Sequence, residues 1–580
     1  MTLIAGIFNR KGQRLSDLVC RELSQSVSRH AGDHVEIIRD ANSCFAKVDI
    51  GAFGPKAVVQ NEGAISLMCG ETLLAGSDDY SNRQSELAAL HDDLLKACTK
   101  RLQVANGTFA LVHYHTKPAT LTLIADKCAI RPLYVWISDE IVVFASALRI
   151  LEACPLVPKK MDLRAVTEIV ALGSTLHGRT PYVDVFRMTP AQLIRITRDS
   201  VTFENYFRWD EIGTSEAGEE VRLQKVHEAF QAAIDRRQRN DQSTSAFLGG
   251  GLDSRLVVAS LRQRNIEVHT VNFALSGTQD QFLGDQFAER VGSTHQSIPR
   301  KAGDSVPDYS SLMANVIGRS NHNCKRPRVV WSGEGGSVLL GFVHMTRQMI
   351  EAMRQGHIES VVDEFLQNEA TQVPAKLFRP HVLDNAMEIV RRGVREELTQ
   401  FHSDDTAWNV FLFLLFNDQS QKLNRHFEDI DLHRLEFQLP FFDSALLQTI
   451  RESKLNWFLQ HKFYARLLPY FGAVVTSVPW QSYPGHEPCP LPIPAELTYQ
   501  WNDEHHARER AAKRTRMVER ASQLLRDGRF PNRILDRKKL RLAALIHSTG
   551  WRDYQYAIEA AETYCRYSEI CGGEFSLSAN

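Results

Sequence analysis

The first two hundred residues alternate short runs of β-branched and aromatic residues with turn residues, a pattern typical of strands. Apolar residues at helical spacing predict helices at Leu15–Val27 and Ser85–Arg101. Many strands with few helices predict an α+β layered domain, which we end near residue 210 because Asp210–Gly218 is rich in turn and polar residues. The predicted strands are Leu3–Phe8, Phe109–Tyr114, Thr120–Ile124, Leu133–Ile137 and Ile141–Ala145.

Beyond about residue 215 the pattern changes to strands and helices in alternation. This spacing predicts a doubly wound parallel sheet, followed by long amphipathic helices at Thr406–Phe427 and Asp443–Tyr470. The predicted fold class is therefore α/β multidomain, with domains at 1–210 and 215–580. The alternating elements are Glu219–Arg239, Thr244–Leu248, Asp253–Arg264, Val268–Phe273 and Leu283–Val291.

Composition narrows the class of protein. The chain has 580 residues, of which 43% are hydrophobic and 24% charged, as in ordinary soluble proteins. Its 68 Lys and Arg against 69 Asp and Glu give no sign of a nucleic-acid partner. The longest apolar run, Val410–Phe416, is far shorter than the roughly 20 residues that span a bilayer, and Met1–Phe8 has the pattern of a strand rather than a signal peptide. The ten cysteines include no CxxC pair, which indicates reduced thiols, no zinc motif and a cytoplasmic location.

The most informative segment is Phe247–Arg255, in which three glycines separate a strand from a helix. Glycines let backbone N–H groups approach an anion, and a helix N-terminus adds its dipole. Asp253 is out of place beside bare phosphate but suits phosphate chelated to Mg²⁺. The spacing matches neither the GxxxxGK[ST] loop nor the GxGxxG fingerprint, so a P-loop kinase and a Rossmann dehydrogenase are disfavoured.

Gly249–Ser254 resembles the SGGxDS pyrophosphate loop of the N-type ATP pyrophosphatases, and specifically the asparagine synthetase family, with Gly249 in place of the leading Ser. Three further segments resemble that family in the same order along the chain. His269–Asp280 resembles its adenine-side strand and loop, Ser332–Ser337 its SGEGxDE loop, and Leu435–Asp443 its xExRxPFLD segment.

The first domain resembles the class II glutamine amidotransferases, an Ntn-type layered sandwich. Ala5–Phe8 is similar to the CGIFG start of those enzymes, and the segment Ala125–Tyr134 is similar to RDxxGxxPLYY. The family nucleophile is an N-terminal Cys, whose own amine acts as its base. Because Ala5 stands at that position and Cys69 at the position of the oxyanion Asn, we expect this domain to lack glutaminase activity.

The resemblance implies a reaction in which ATP adenylates a substrate carboxylate, pyrophosphate leaves, and ammonia or an amine attacks. It implies Asp253 as a Mg²⁺ ligand, and Glu334 and Glu436 as the catalytic base or orienting acid. Two alternatives stay open: Glu334 as a carboxylate that caps loop N–H groups, and Glu436 as one half of a buried ion pair with an Arg. The implied ATP-binding residues are Phe247, Gly249, Gly250, Gly251, Asp253, Ser254, Arg255, Phe273, Ser332 and Gly333.

Two departures from the family pattern affect the charge of this site. The second metal-binding Asp of the family is replaced by Ser337, and the expected lysine falls near Gln481, which cannot neutralise a phosphate. We hypothesise that Arg255 or Lys462 supplies the missing charge. The Pro-rich, aromatic segment Trp480–Cys489 is interpreted as a substrate-facing loop, with a rigid surface connector as the alternative.

The sequence thus predicts an AMP- and pyrophosphate-forming ligase without glutaminase activity. The partners expected are a small-molecule, sugar or peptide carboxylate and an amine or ammonia, and a homodimer is left open. The resemblance is strongest to members associated with surface polysaccharides, in which a uronic acid carboxyl is amidated. The alternatives are a lasso-peptide-type macrolactam cyclase and a degenerate synthetase that acts as a scaffold.

The segment 507–541 carries thirteen Lys and Arg against four Asp and Glu, and is interpreted as a solvated helix pair or a site for an anionic partner.

Overall fold

The structure is a computed structural model that describes residues 1–61, 63–74, 82–300, 308–319, 324–369, 371–380, 382, 386–499, 507–528 and 530–577. Its strands are β1 (Thr2–Asn9), β2 (Val35–Arg39), β3 (Ser43–Asp49), β4 (Val58–Asn61), β5 (Ala64–Gly70), β6 (Phe109–Thr116), β7 (Ala119–Ala125), β8 (Tyr134–Ile137), β9 (Ile141–Ala145), β10 (Met161–Asp162), β11 (Val185–Arg187), β12 (Gln192–Ile196), β13 (Val201–Asn205), β14 (Ser243–Phe247), β15 (Glu267–Asn272), β16 (Thr294–Ser297), β17 (Val329–Trp331), β18 (Glu436–Gln438) and β19 (Phe575–Ser576).

The helices fall mostly in the second part of the chain. They are α1 (Asp17–Ser26), α2 (Arg83–Leu95), α3 (Lys100–Gln103), α4 (Leu148–Ala153), α5 (Leu163–Leu172), α6 (Glu219–Gln238), α7 (Asp253–Gln263), α8 (Gln279–Val291), α9 (Tyr309–Arg319), α10 (Gly336–Gly341), α11 (Arg347–Arg354), α12 (Ile358–Asn368), α13 (Ala386–Thr399), α14 (Ala407–Leu414), α15 (Ser420–Glu428), α16 (Ile430–His433), α17 (Ser444–Arg451), α18 (Lys462–Leu467), α19 (Ala473–Thr476), α20 (Ala507–Arg526), α21 (Arg537–Thr549) and α22 (Gln555–Ile570). Short 3₁₀ turns lie at Trp209–Glu211, Ala375–Leu377, Pro440–Phe442, Leu455–Trp457, Leu459–His461 and Leu468–Phe471.

Two antiparallel six-stranded sheets form the first part of the chain. Their strand orders are β11-β8-β9-β1-β3-β2 and β13-β12-β7-β6-β5-β4. Because successive side chains of a strand point to opposite faces, Ile4 and Phe8 of β1 enter the core between the sheets, while Ala5 and Ile7 face the helical side. The predicted layered α+β sandwich is therefore confirmed. The core between the sheets includes Ile4, Phe8, Phe45, Leu67, Val112, Leu123 and Phe144.

A five-stranded parallel sheet, in the order β16-β15-β14-β17-β18, organises the second part. The chain winds outward from β14 in both directions, which confirms the predicted doubly wound sheet. The winding reverses between β14 and β17, and doubly wound sheets bind their ligands at the carboxyl ends of the strands that flank this switch point. Among the described residues, none of the helices is both long and apolar enough to cross a lipid bilayer.

Three helix predictions need correction. Ser85–Arg101 is not one helix, since α2 ends at Leu95 and α3 begins at Lys100. Thr406–Phe427 is helical as expected, but a π-helical turn at Leu415–Gln419 interrupts it. Asp443–Tyr470 is not one helix: α17 ends at Arg451, and Gln460 and His461 have left-handed backbone angles, φ 57° and 63°. L-residues in that region cannot continue an α-helix, so the segment breaks into short turns and α18.

Buried ion pairs join the two parts. Arg131 lies 2.6 Å from Glu436, and both side chains are at most 3% exposed. Arg29 lies 2.6 Å from the buried Asp431, and Arg239 lies 3.2 Å from Glu71. Since removing one partner of a buried pair leaves an uncompensated charge, these contacts fix the two parts against one another.

Candidate active site

Two glycine-rich turns meet at the switch point of the parallel sheet. The first, Gly249–Leu252, joins β14 to α7, and the second, Ser332–Gly335, joins β17 to α10. Both turns follow carboxyl ends of neighbouring parallel strands, so they lie side by side. The geometry thus brings the two predicted motifs together, although they are about eighty residues apart in sequence.

Glycine is required at 249 and 250 by the start of α8. A Cβ at Gly249 would lie 2.7 Å from Asp280 Oδ1, and one at Gly250 would lie 2.7 Å from the carbonyl of Gln279. Gly250 N–H donates to Asp280 Oδ1 at 2.9 Å, and Gly249 N–H donates to Ser254 Oγ at 3.1 Å. The change of the family Ser to Gly249 therefore makes room for a carboxylate that the sequence analysis did not single out.

The second turn packs tightly on the start of α7. A Cβ at Gly336 would lie 2.5 Å from Asp253 Cγ, and one at Gly333 would collide with the backbone nitrogen of Ser254. Ser337 Oγ donates to Asp253 Oδ1 at 2.9 Å, and Tyr464 OH donates to the same oxygen at 2.9 Å. Ser337 thus holds Asp253 in place instead of adding a second carboxylate.

A cavity of about 590 Å³ opens between these turns and the Pro-rich loop. A second cavity of about 590 Å³ adjoins it, and Glu334 and Lys422 line both. Phe247 and Ser332 line the second cavity only. The first cavity is lined by Gly249, Gly251, Leu252, Asp253, Ser254, Asp280, Gly333, Glu334, Gly335, Ser337, Val338, Val343, His344, Lys422, His461, Ala465, Trp480, Gln481, Ser482, Tyr483 and Glu487.

Three carboxyl groups of the first cavity have raised pKa values. Burial raises the pKa of Asp253 to about 6, against the hydrogen bonds from Ser337 and Tyr464 that lower it. Burial also raises the pKa of Asp280 and of Glu334, and the charge of Asp253 raises that of Glu334 further. Four carboxyl groups, those of Asp253, Asp280, Glu334 and Glu487, line this cavity against the single ammonium group of Lys422, and a bound cation would lower their pKa values. Among the described residues, no three His, Cys, Asp or Glu side chains converge as a metal site of their own.

The loop that follows α19 closes the opposite wall, as interpreted from the sequence. Gln481 N–H donates to the carbonyl of Gly250 at 3.0 Å, which ties this loop to the glycine turn. The buried Gln481 Oε1 has no hydrogen-bond partner among the described residues. The rings of Tyr483 and His461 stack at 5.3 Å beside it. Gln481 therefore lines this wall with its Oε1 buried, and the rings present an aromatic face.

Arg255 does not supply the missing positive charge. Its side chain points into the core, where the guanidinium donates to the carbonyls of Val475, Val478 and Pro479 and lies 4.5 Å from the ring of Phe287. Burial lowers its pKa to about 10. Helix α7 buries this face against α19, so the residue next to Ser254 is turned away from the cavity.

Glu436 and Lys462 are also outside the cavity. Glu436 forms the buried ion pair with Arg131 that the sequence analysis left as an alternative, and Arg131 and neighbouring charges lower its pKa to about 2 in spite of burial. Lys462 is exposed at the start of α18. Phe273 packs against Phe247, with ring centroids 6.3 Å apart, and lines neither cavity.

Lys422 is the basic residue that sequence reasoning missed. Of the described residues that line the first cavity, it is the one Lys or Arg. Its ammonium donates to Asp418 at 2.9 Å, one helical turn earlier, and its charge acts to lower the pKa of Glu334. The i,i+4 spacing of Asp418 and Lys422 was the signal in the sequence, but such pairs are common on helix surfaces.

The predicted glutaminase position lies in a filled core. Ala5 and Cys69 are both 0% exposed. Lys47 is buried close by, and its pKa falls to about 8 because burial outweighs the attraction of Asp49. No cavity described in the structure is lined by Ala5 or Cys69.

Comparison with known proteins supports both parts of this description. The family model described as "Glutamine amidotransferase domain" matches residues 83–207, and the one described as "Asparagine synthase" matches residues 225–462. A putative asparagine synthetase of Methanocaldococcus jannaschii is 24% identical over 50% of this chain and 58% of its own length. Asparagine synthetase 3 of Bacillus subtilis is 25% identical over 38% of this chain and 34% of its own length. Asparagine synthetase 1 of the same organism is 19% identical over 59% of this chain and 61% of its own length. The chain thus matches between a third and three fifths of each relative. A solved allosteric regulatory enzyme of purine biosynthesis is 11% identical with a TM-score of 0.27 over 53% of this chain and 82% of its own, too low a score to support an argument.

Proposed function

Since the chain belongs to the asparagine synthetase family, we propose that it is an ATP-dependent carbon–nitrogen ligase. It adenylates a substrate carboxylate, releases pyrophosphate and transfers the acyl group to ammonia or an amine. The observation that carries the proposal is the meeting of the two glycine turns around one cavity with Asp253, Asp280 and Glu334. We keep the domain spans 1–210 and 215–580 as part of the proposal.

The residues of the first cavity fit Mg²⁺–ATP. Mg²⁺ takes one or two carboxylates together with phosphate oxygens and water, and the half-buried Asp253 and Asp280 would serve as such ligands. When bound, the ion would neutralise charge on the triphosphate. Gly251 and the first residues of α7 line the same space, and the N-terminus of a helix suits phosphate oxygens. Phe247 and Ser332 in the second cavity suit the adenosine end.

Glu334 and Lys422 stand where the two cavities join, which suits the reacting carbon and phosphorus atoms. The raised pKa of Glu334 favours proton uptake from an attacking amine, which must lose a proton to form the amide. Lys422 adds the positive charge that developing negative charge on the phosphate requires. We therefore assign to Lys422 the role of supplying this positive charge, for which the sequence had suggested Arg255 or Lys462.

Several facts support the absence of glutaminase activity. The methyl group of Ala5 has no lone pair with which to attack a carboxamide, and it is fully buried in β1. Cys69 is equally buried, and burial raises the pKa of its thiol, so it is a poor nucleophile. We propose that the chain takes ammonia or an amine directly from solution or from another molecule.

A uronic acid is the carboxylate that the cavity wall favours. The stacked rings of Tyr483 and His461 offer a face for the apolar side of a sugar ring. Ser482 and Glu487 line the same wall and suit sugar hydroxyl groups. No described feature of the cavity specifically favours a peptide substrate. Macrolactam formation is therefore the alternative that exchange with peptides would support.

The test is exchange of labelled pyrophosphate into ATP, measured with glucuronate and galacturonate, with linear peptides, and with glutamine or ammonia as nitrogen donor. We expect uronate-dependent exchange, amide formation with ammonia, and no release of glutamate from glutamine. Glu334→Gln should lower amide formation at least 100-fold, whereas Glu216→Gln on the surface should not. Exchange with peptides alone would favour the cyclase, and absence of ATP binding by calorimetry would favour the scaffold.

A further inference from the structure

A second, smaller site lies between the two parts of the chain, away from the ATP cavity. It is a cavity of about 140 Å³ bounded by β11–β13, the linker at Phe207–Asp210, α13 and the π-helical turn. Its lining mixes charged side chains with aromatic ones. A volume of this order holds a molecule with only a few heavy atoms.

Arg187 is the unusual residue of this cavity. It is 4% exposed, yet it forms no ion pair within 4.0 Å among the described residues. Its Nη1 makes one long hydrogen bond of 3.3 Å to Asn424 Oδ1, and its Nε has no hydrogen-bond partner among the described residues. The charges of Glu397 and Asp126 act on Arg187 without forming an ion pair with it. A buried guanidinium without a directly paired anion is costly, so an anion in the cavity would stabilise it.

The acidic residues of the same cavity already have partners. Glu397 accepts hydrogen bonds from Asn417 at 2.8 Å and Gln400 at 2.7 Å, and lies 2.6 Å from His177 Nδ1. Asp210 accepts from Arg208 at 2.8 Å and from the backbone of residue 402 at 3.0 Å. Of the described charged side chains that line the cavity, Arg187 is therefore the one without an ion pair.

We propose that this cavity binds a small carboxylate of about the size of a free amino acid, with its carboxylate paired to Arg187. A planar carboxylate matches the fork of N–H donors of a guanidinium better than a spherical ion does. Phe401, Phe416 and Trp209 offer an apolar surface for the remainder of the ligand.

The site is placed to act on the ATP cavity. Asn417, which lines the small cavity, belongs to the π-helical turn Leu415–Gln419, and the next residue, Asp418, holds Lys422. The π-helix is a rare conformation that is frequent at functional sites, and a ligand that contacts Asn417 can shift this turn. This regulatory consequence, unlike the binding itself, rests on the proposed function.

Isothermal titration calorimetry of the full chain against L-glutamate, L-glutamine, succinate and inorganic phosphate tests the binding. We expect at least one carboxylate to bind, and Arg187→Gln to weaken it at least tenfold. Arg208→Gln, in the same cavity but already paired with Asp210, should change affinity less than threefold. Asn205→Phe on the exposed strand β13 should block the cavity without touching Arg187.

Several results would overturn the inference: no carboxylate binding up to about 10 mM, binding of phosphate alone, or unchanged affinity in both Arg187→Gln and Asn205→Phe. If Arg187→Gln does not fold, the affinity of the Asn205→Phe variant for the carboxylate still tests the proposal. A carboxylate that binds without altering ATP–pyrophosphate exchange refutes the regulatory consequence only. Absence of exchange in all conditions would count against the proposed function and leave the binding result standing.

Discussion

Replacing Asp253 with Asn should make the ligand-free protein more stable while abolishing its use of ATP. The carboxylate lies half-buried at the start of α7, where burial raises its pKa from 3.8 to about 6. Asn keeps an oxygen that can accept the hydrogen bonds from Ser337 and Tyr464. It therefore removes the charge and leaves the geometry in place.

The rise in pKa from 3.8 to about 6 corresponds to roughly 3 kcal/mol. Between these pH values the folded protein holds a proton that the unfolded chain has released, so stability falls as pH rises across this window and is constant above it. Solvent in the cavity screens part of this effect, which leaves about 1–2 kcal/mol at pH 8. We expect a rise in Tm of about 1–3 °C for Asp253→Asn at pH 8, and about half of that at pH 5.

The assay is thermal unfolding without nucleotide at pH 5 and pH 8, together with ATP–pyrophosphate exchange. Asp199→Asn, whose wild-type side chain is 82% exposed, is the control and should change neither. The reasoning is refuted if Asp253→Asn lowers the Tm at pH 8, or if the variant still exchanges pyrophosphate at the wild-type rate. Added Mg²⁺–ATP should stabilise the wild type and not the variant.

Three further outcomes are expected. Lys422→Met should lower the pyrophosphate exchange rate about 100-fold, because it removes the cavity's positive charge, whereas the exposed Lys462→Met should leave the rate unchanged. Gly333→Ala adds a methyl group that collides with the start of α7, and should cost about 1–3 kcal/mol in thermal unfolding; an unchanged Tm would contradict the close packing of the two turns. Arg131→Gln removes the guanidinium paired with the buried Glu436 and, among the described residues, leaves it only the Met1 amine, 3.5 Å away. This change should cost about 3–5 kcal/mol, part of which the second change Glu436→Gln restores; additive losses would count against the ion pair.

Local sequence patterns predicted the type and the order of the named elements. Short runs of β-branched and aromatic residues predicted strands of the sandwich, and the alternation of strands with helices predicted the parallel sheet. The break in the helix predicted at Asp443–Tyr470 could not be predicted from the sequence, because its apolar residues keep a helical spacing through Gln460 and His461. Tertiary packing, not periodicity, imposes the left-handed backbone at these two residues.

The candidate site likewise combines motifs that the sequence predicts with side-chain directions that only the tertiary structure determines. Gly249–Ser254 and Ser332–Ser337 were recognised from short-range spacing, since a phosphate-binding turn is built by consecutive residues. Whether a neighbouring residue points toward the turn is set by what its helix packs against. For that reason Arg255, adjacent in sequence, is buried in the core, while Lys422, far along the chain, reaches the cavity.

By itself, the sequence determined the two kinds of domain, the position of the nucleotide loop and the alanine where a nucleophilic cysteine is expected, because each is encoded in a few adjacent residues. Only the tertiary structure decided which charges face the cavity. It paired Glu436 with Arg131, brought Asp280 beside Gly250, and left the buried Arg187 without an ion pair in the part of the chain that the structure describes. These are contacts between segments that are distant along the chain, and the packing of the whole fold selects them.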